Sequence, residues 1–259
     1  GCLVVLACGV ARAEDALRNC ALRVLPLGMV RPEGHLRERL ELQAKGLTGH
    51  AEELYDDIGR SDWLTNAGRG REYAWERGPY YARGLIALAF TLGDEALKDK
   101  AKKWVEAVYA SQKTNGDIGP RKDNWWANMI PQWYLRDWAD ATGDMRVIAF
   151  LERYYAYQMK EFETVPLEKE GCWACARGGD EIDAILWLYR KTGDAKWLDE
   201  FEKTFYNAYL GSLKPDGSVF AMYTPLNGTR AKGEYHCRMH TNCCTANGPR
   251  GYLAFLESF

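Results

Sequence analysis

Apolar residues recur along this chain at i, i+3, i+4 and i+7, the spacing of one face of a helix, and nowhere alternate long enough to suggest a half-buried strand. The pattern predicts helices over 35–45, with Leu36, Leu40 and Leu42 on one side, and then over 80–91, 95–111, 129–141, 145–160, 181–191 and 195–210. Leu92-Gly93-Asp94, Thr142-Gly143-Asp144 and Thr192-Gly193-Asp194 join these helices in pairs and fall fifty residues apart. Glycine suits the left-handed position that ends a helix, and the aspartate after it caps the next one. One such turn is weak evidence, but three at equal spacing define a repeat of helical hairpins. A period of this length implies a helical array or toroid. Residues 25–34, Gly46, Gly49 and the stretch 59–70 around Trp63 read as loop. Carried forward, the period places the next helix at 249–259. Six hairpins at this spacing take roughly 300 residues, so the chain reads as part of such a toroid: three full hairpins with a fragment at each end.

The period also sorts the loops. Those entering the first helix of each pair share one phase, which should bring them to one rim. They read Trp75-Glu76-Arg77-Gly78-Pro79-Tyr80-Tyr81, then Asp123-Asn124-Trp125-Trp126-Ala127-Asn128, then Gly171-Cys172-Trp173-Ala174-Cys175-Ala176-Arg177-Gly178-Gly179-Asp180-Glu181. A fourth, Cys243-Cys244-Thr245-Ala246-Asn247-Gly248-Pro249-Arg250, follows His236, Cys237 and His240. All four are rich in tryptophan, arginine, carboxylate or cysteine, whereas the opposite turns are short and bland. That asymmetry is expected where function rides on loops of a regular scaffold.

Composition narrows the chemistry. A formal charge of −2 argues against a nucleic-acid footprint, which needs a basic face. Of the 259 residues, 47% are apolar, enough for a large core. Ten Trp and fifteen Tyr suit either a core or a cleft in which rings stack on sugar faces. Residues 1–13 read as the tail of a signal peptide, an apolar run closing on Ala11-Arg12-Ala13, so export to the periplasm or beyond is expected. Lipid anchoring through Cys8 is the weaker reading, since Leu6 is an unusual neighbour for that signal. No later stretch is apolar enough to span a membrane as a helix. Of eight cysteines, Cys2 and Cys8 would leave with the signal and Cys20 stands alone near the new terminus; the other five fall in two clusters, Cys172/Cys175 and Cys237/Cys243/Cys244. An odd, clustered set fits a metal or reactive thiol about as well as disulfides.

Each candidate has a plainer reading. Glu76-Arg77 suits a structural ion pair, and Trp125-Trp126 suits packing. Cys172-x-x-Cys175 suits a disulfide, a zinc half-site or a redox pair. His236 and His240 stand at i, i+4 but in no convincing helix. The Cys243-Cys244 pair suits a zinc site, a nucleophile or a reduced buried pair.

The set Cys243-Cys244-x-x-Asn247-x-x-Arg250, Cys175-Ala176 before a helix, and the Leu188–Asp194 turn resembles glycoside hydrolase family 127, the β-L-arabinofuranosidase-like group formerly called DUF1680. Trp75-Glu76-Arg77-Gly78-Pro79-Tyr80-Tyr81 and Ala176-Arg177-Gly178-Gly179-Asp180 resemble a branch of it, and the likeness runs from about Leu25 to the last residue. The resemblance implies an all-α fold, an (α/α)6-barrel catalytic domain over 25–259 with its remainder and any β-sandwich domains outside this sequence. It also implies retaining hydrolysis of L-arabinofuranosides or related plant glycans by a zinc-bound cysteine. Carried over, Cys243 is the nucleophile, and Cys175 and Cys244 are zinc ligands beside it. The family's Glu-x-Cys ligand pattern would put its glutamate at Trp173; Glu170-Gly171-Cys172 offers the pattern three residues earlier, which adds Glu170 and Cys172 to the zinc candidates. For the general acid/base Glu170 comes first, then Asp180 or Glu181. Trp75, Glu76, Arg77, Trp125, Trp126, Trp173, Arg177, His240, Asn247 and Arg250 are the residues expected to bind carbohydrate. The rival readings are a lyase or uronyl hydrolase on the same toroid, and a carbohydrate-binding toroid without catalysis. Nothing in the sequence fixes an oligomeric state.

Overall fold

A computed structural model describes residues 24–122, 124–166, 174, 178–206, 210 and 213. Among them regular structure is helical, with no strand. Two compact units divide the chain. One is Val24–Ala184; of the other, the described residues run from Ile185 onward.

The first unit opens with α1 (Gly34–Lys45), α2 (Leu47–Leu54), α3 (Asp56–Gly59) and α4 (Asp62–Thr65). It continues with α5 (Arg77–Leu92), α6 (Glu95–Ala110), α7 (Trp125–Thr142) and α8 (Arg146–Glu161), and then a 3-10 turn, Gly178–Glu181. The helix α9 (Ile182–Thr192) crosses the boundary, and α10 (Lys196–Thr204) lies in the second unit. All six repeat helices therefore form where apolar periodicity predicts them, with ends shifted by a few residues. Helices α5 and α7 begin three and four residues early and absorb the entry loops into their first turns, and α10 closes at Thr204, six residues before the predicted end. The region around Gly49 departs from expectation. It is helical, because Gly49 sits so close to α1 that a Cβ would lie 1.8 Å from the Ala44 carbonyl oxygen. The missing side chain lets a second helix start one residue after the first ends. The stretch around Trp63 likewise forms α4 rather than open loop, and Trp63 is buried.

The Gly-Asp turns are built as their chemistry requires. Gly93, Gly143 and Gly193 all take positive φ, at 69°, 79° and 67°. Asp94 accepts the amide of Leu97 at 3.0 Å and caps α6. Asp144 and Asp194 accept the amides of Arg146 and Lys196, at 3.2 and 3.1 Å. In these two copies a threonine also tightens the turn, Thr142 and Thr192 donating to the carbonyls of Trp138 and Leu188.

Same-phase helices line up in the first unit. Between α5 and α7, Arg83 lies over the Trp133 ring at 4.7 Å and Phe90 meets Trp138 edge-on. Between α6 and α8, Tyr109 packs edge-on against Phe150, and Arg146 pairs with Glu106 at 2.6 Å. The burial pattern differs between the two rows. Helix α6 buries one stripe, Leu97, Ala101, Trp104, Val105 and Val108. Helix α7 is enclosed on every side of its first two turns, from Trp125 to Gln132. A helix apolar on all sides belongs inside a layered assembly and a striped one outside it. In the second unit Trp187, Leu188, Trp197, Phe201 and Phe205 are buried.

Candidate functional site

Hydrogen bonds tie the rim loops together one period apart. The Trp126 indole donates to the Glu76 carboxylate, fifty residues away. The Asn124 amide donates to the Ala74 carbonyl across the same interval, at 3.0 Å. One unit further on, the Trp133 indole donates to the Asp180 carbonyl at 3.1 Å, and Gln132 donates to Glu181 at 2.9 Å. The first two loops are thus neighbours, and the turn at the end of the third is held against α7.

Consecutive side chains of the first loop diverge. Glu76 turns inward to the Trp126 indole, whose ring is almost wholly buried and faces Tyr80 with centroids 6.3 Å apart. Arg77, largely exposed, pairs with Asp57 at 2.5 Å, and that hydrogen bond raises its pKa. Glu76 and Arg77 therefore do not pair with one another as the plainer reading had it; each has its own partner. Trp75 is half-buried, with the Arg71 guanidinium 4.6 Å from its ring centroid. Trp125 is fully buried, donates to the Val165 carbonyl at 3.0 Å and meets Phe162 edge-on. It packs as a core residue and presents no face to a ligand.

The densest polar cluster lies at Glu181, 6% exposed. Gln158 Nε2 donates to both carboxylate oxygens at 2.9 Å, and Gln132 Nε2 donates to Oε1 at 2.9 Å. Gln132 is itself oriented, because its Oε1 accepts the Tyr155 hydroxyl and its amide also donates to the Asn128 carbonyl. Burial pushes the Glu181 carboxyl up to about 7, opposed by the two glutamine hydrogen bonds. Burial likewise holds the hydroxyls of Tyr154 and Tyr155 well above the usual phenol range. The 3-10 turn is thereby pinned to α7 and α8 through one carboxyl group. Next to it Asp180 is partly buried, its carbonyl accepting from Trp133. Asp183 pairs with Arg136 at 2.6 Å.

Of the residues expected to do chemistry, Asp180 and Glu181 are described. Glu170, Cys172, Trp173, Cys175, Arg177, His240, Cys243, Cys244, Asn247 and Arg250 lie outside the described residues. Among the described residues no three His, Cys, Asp or Glu side chains gather to hold a metal. No described helix is long and apolar enough to cross a membrane. The glutamine clamp had not been expected from the sequence. Its signal was present in Asn128 and Gln132, two amides at i, i+4 inside the otherwise apolar run Trp125–Leu135.

Comparison with known proteins adds one finding. The family model described as "Beta-L-arabinofuranosidase, GH127 catalytic domain" matches residues 56–201 and 193–257. No match was found among curated proteins or among solved structures. The family is one of α/α barrels, in keeping with the helical hairpins and their period. Its members are glycoside hydrolases, so the substrate is a carbohydrate. With the match spanning most of the chain, the protein belongs to the GH127 β-L-arabinofuranosidase catalytic-domain family.

Proposed function

We propose that this protein is an exported, retaining glycosidase acting on L-arabinofuranosides or related plant glycans. The family match over 56–257 carries the glycosidase part of the reading, and the apolar run of residues 1–13 supports export. In retaining hydrolysis a nucleophile and an acid act from opposite sides of the glycosidic bond. Cys243 would attack the anomeric carbon as the leaving oxygen takes a proton from the acid. The same group, now a base, would then take a proton from water, and that water would displace the Cys243 thiolate and release the sugar with its configuration retained.

The donor set Cys175, Cys244 and Cys243, completed by Cys172, or by Glu170 where Asp180 serves as the acid, has the thiolate-rich chemistry that suits zinc, and bound there the metal would keep a thiolate ionised at neutral pH.

For the acid/base, Glu170 is the leading residue and Asp180 the next. Glu181 has the raised pKa of a general acid, but a general acid must reach the oxygen it protonates. Both of its oxygens accept glutamine amides, and the residue is buried. Glu181 is better suited to fixing the 3-10 turn that carries Asp180 than to exchanging a proton with substrate. The deciding experiment is hydrolysis of an aryl β-L-arabinofuranoside by the full-length protein and by Cys243→Ala. Loss of turnover in the variant, with its fold intact by circular dichroism, supports the thiolate mechanism. Full activity in the variant rejects it.

A further inference from the structure

The loop before α5 holds a further feature. Its backbone is anchored at three successive carbonyls. That of Tyr73 accepts the Ser61 hydroxyl and the Asp62 amide. That of Ala74 accepts the Trp63 indole and the Asn124 side chain, each at 3.0 Å. That of Trp75 accepts the same Trp63 indole at 3.0 Å. The donors Ser61, Trp63 and Asn124 are themselves buried. Gly119 makes room for this anchor, since a Cβ there would lie 2.6 Å from the Trp63 ring. With its carbonyls all turned inward, the loop is a fixed shelf.

On its outer side sits a hollow of about 150 Å³ lined by Arg71, Glu72, Trp75 and Arg77. That is below the roughly 300 Å³ at which pockets for drug-sized ligands begin, and suits a single ring. Trp75 forms its apolar wall and stays half-exposed on a backbone that has no freedom to bury it. Arg71 covers the indole at 4.6 Å, a contact that is weak at an exposed position. A ring with an apolar face displaces such a cover at little cost, and the guanidinium moved aside stays within reach of that ring's edge. Arg71 and Arg77 offer paired N–H donors, and Glu72 offers paired acceptors. Vicinal hydroxyls complement both. The charges nearly cancel, because Asp57 already neutralises Arg77, so the hollow does not select an anion.

We infer that this shelf is a glycan subsite that stacks one neutral sugar unit on Trp75 and hydrogen-bonds its hydroxyls through Arg71, Glu72 and Arg77. The hollow is walled by exposed side chains, whereas the sugar whose bond breaks needs a site closed to water. The unit held here is therefore a further residue of the glycan, and the shelf sets a preference for oligosaccharides over small glycosides. The inference rests on the glycosidase reading only for the identity of the glycan.

The test is steady-state kinetics of the full-length protein on an oligosaccharide ending in β-L-arabinofuranose and on the aryl β-L-arabinofuranoside. Trp75→Ala is expected to raise KM for the oligosaccharide about tenfold more than for the aryl glycoside, with Arg71→Ala moving it in the same direction by a smaller factor. Should Trp75→Ala fail to fold, Arg71→Ala decides alone. Equal rises for both substrates would place Trp75 in the pocket of the cleaved sugar and overturn the subsite, as would no change for either. If the wild type turns over neither substrate, the glycosidase reading fails instead. Calorimetric titration with the oligosaccharide then judges the shelf separately: about tenfold weaker binding by Trp75→Ala supports it, and unchanged binding overturns it.

Discussion

Replacing Glu181 by Gln should make the protein more stable, relative to wild type, the higher the pH. Burial raises this carboxyl to about 7 from an ordinary 4.5, and among the described residues around it, Gln132, Gln158 and Tyr155, none is a cation that would restore the charged form. Since the folded pKa lies above the unfolded one, the folded state binds more protons between about 4.5 and about 7. Stability from this group is greatest below 4.5, falls as pH rises through the window, and levels off above it. At about 1.36 kcal/mol per pH unit, the gap amounts to about 3 kcal/mol. For a domain of this size that corresponds to roughly 6–12 °C in Tm.

The Gln variant keeps the shape and cannot ionise, but sets one amide N–H against glutamine donors. Its stability at low pH should therefore sit about 1–3 kcal/mol below wild type, the cost of an unmet buried group. The difference between variant and wild type should then narrow or reverse as pH passes from 4.5 to 7.5. Urea unfolding of both proteins at intervals across that range measures it, and other titrating groups cancel in the subtraction. Parallel pH profiles would refute the argument, because they would mean that Glu181 is solvated in the folded state or shares its charge with a cation. A profile diverging in the opposite direction would mean that the glutamine bonds outweigh burial.

Other substitutions test other parts of the fold. Gly93→Ala puts a side chain at a φ of 69° and should cost about 1–2 kcal/mol by urea unfolding. Asp94→Ala removes the cap of α6 and should cost about 1 kcal/mol in the same assay. Trp126→Phe keeps most of the ring but loses the bond to Glu76; about 1.5–3 kcal/mol of stability should go with it, as expected for a hydrogen bond to a charged group, and unchanged stability would show the pair to be solvated. Gly119→Ala combines a φ of 77° with a close approach to Trp63, and should lower Tm by more than Gly143→Ala, where the φ is 79° but no atom lies within 4 Å.

The helices were legible because their signal is local and repeated. Apolar spacing sets a helix wherever it occurs, and a glycine followed by aspartate carries the turn in its own two residues. Three copies fifty residues apart then fixed the order of hairpins without any knowledge of contacts. The helix α2 was not legible, because two glycines three positions apart, Gly46 and Gly49, read as loop. Only the approach of Gly49 to the Ala44 carbonyl shows that it marks a tight crossing instead.

The direction of side chains on the rim escaped the same reasoning, and the reason is geometric. Trp75, Glu76 and Arg77 stand where the chain passes from turn to helix, so neither the period of a strand nor that of a helix says which of them faces inward. Their partners decide it from elsewhere: Trp126 and Asn124 one repeat away, Trp63 and Asp57 upstream. The carboxylate of the three goes in because a buried indole N–H needs an acceptor. The tryptophan stays at the surface because its own carbonyl is committed to Trp63. Glu181 follows the same logic from the other side. Read as a letter in an acidic loop it looks like a proton donor, but two glutamines from neighbouring helices hold both of its oxygens and make it the peg of the loop. Rim chemistry in such a repeat is set pairwise between successive units, so a residue's role is read from the letter one period away as much as from its own.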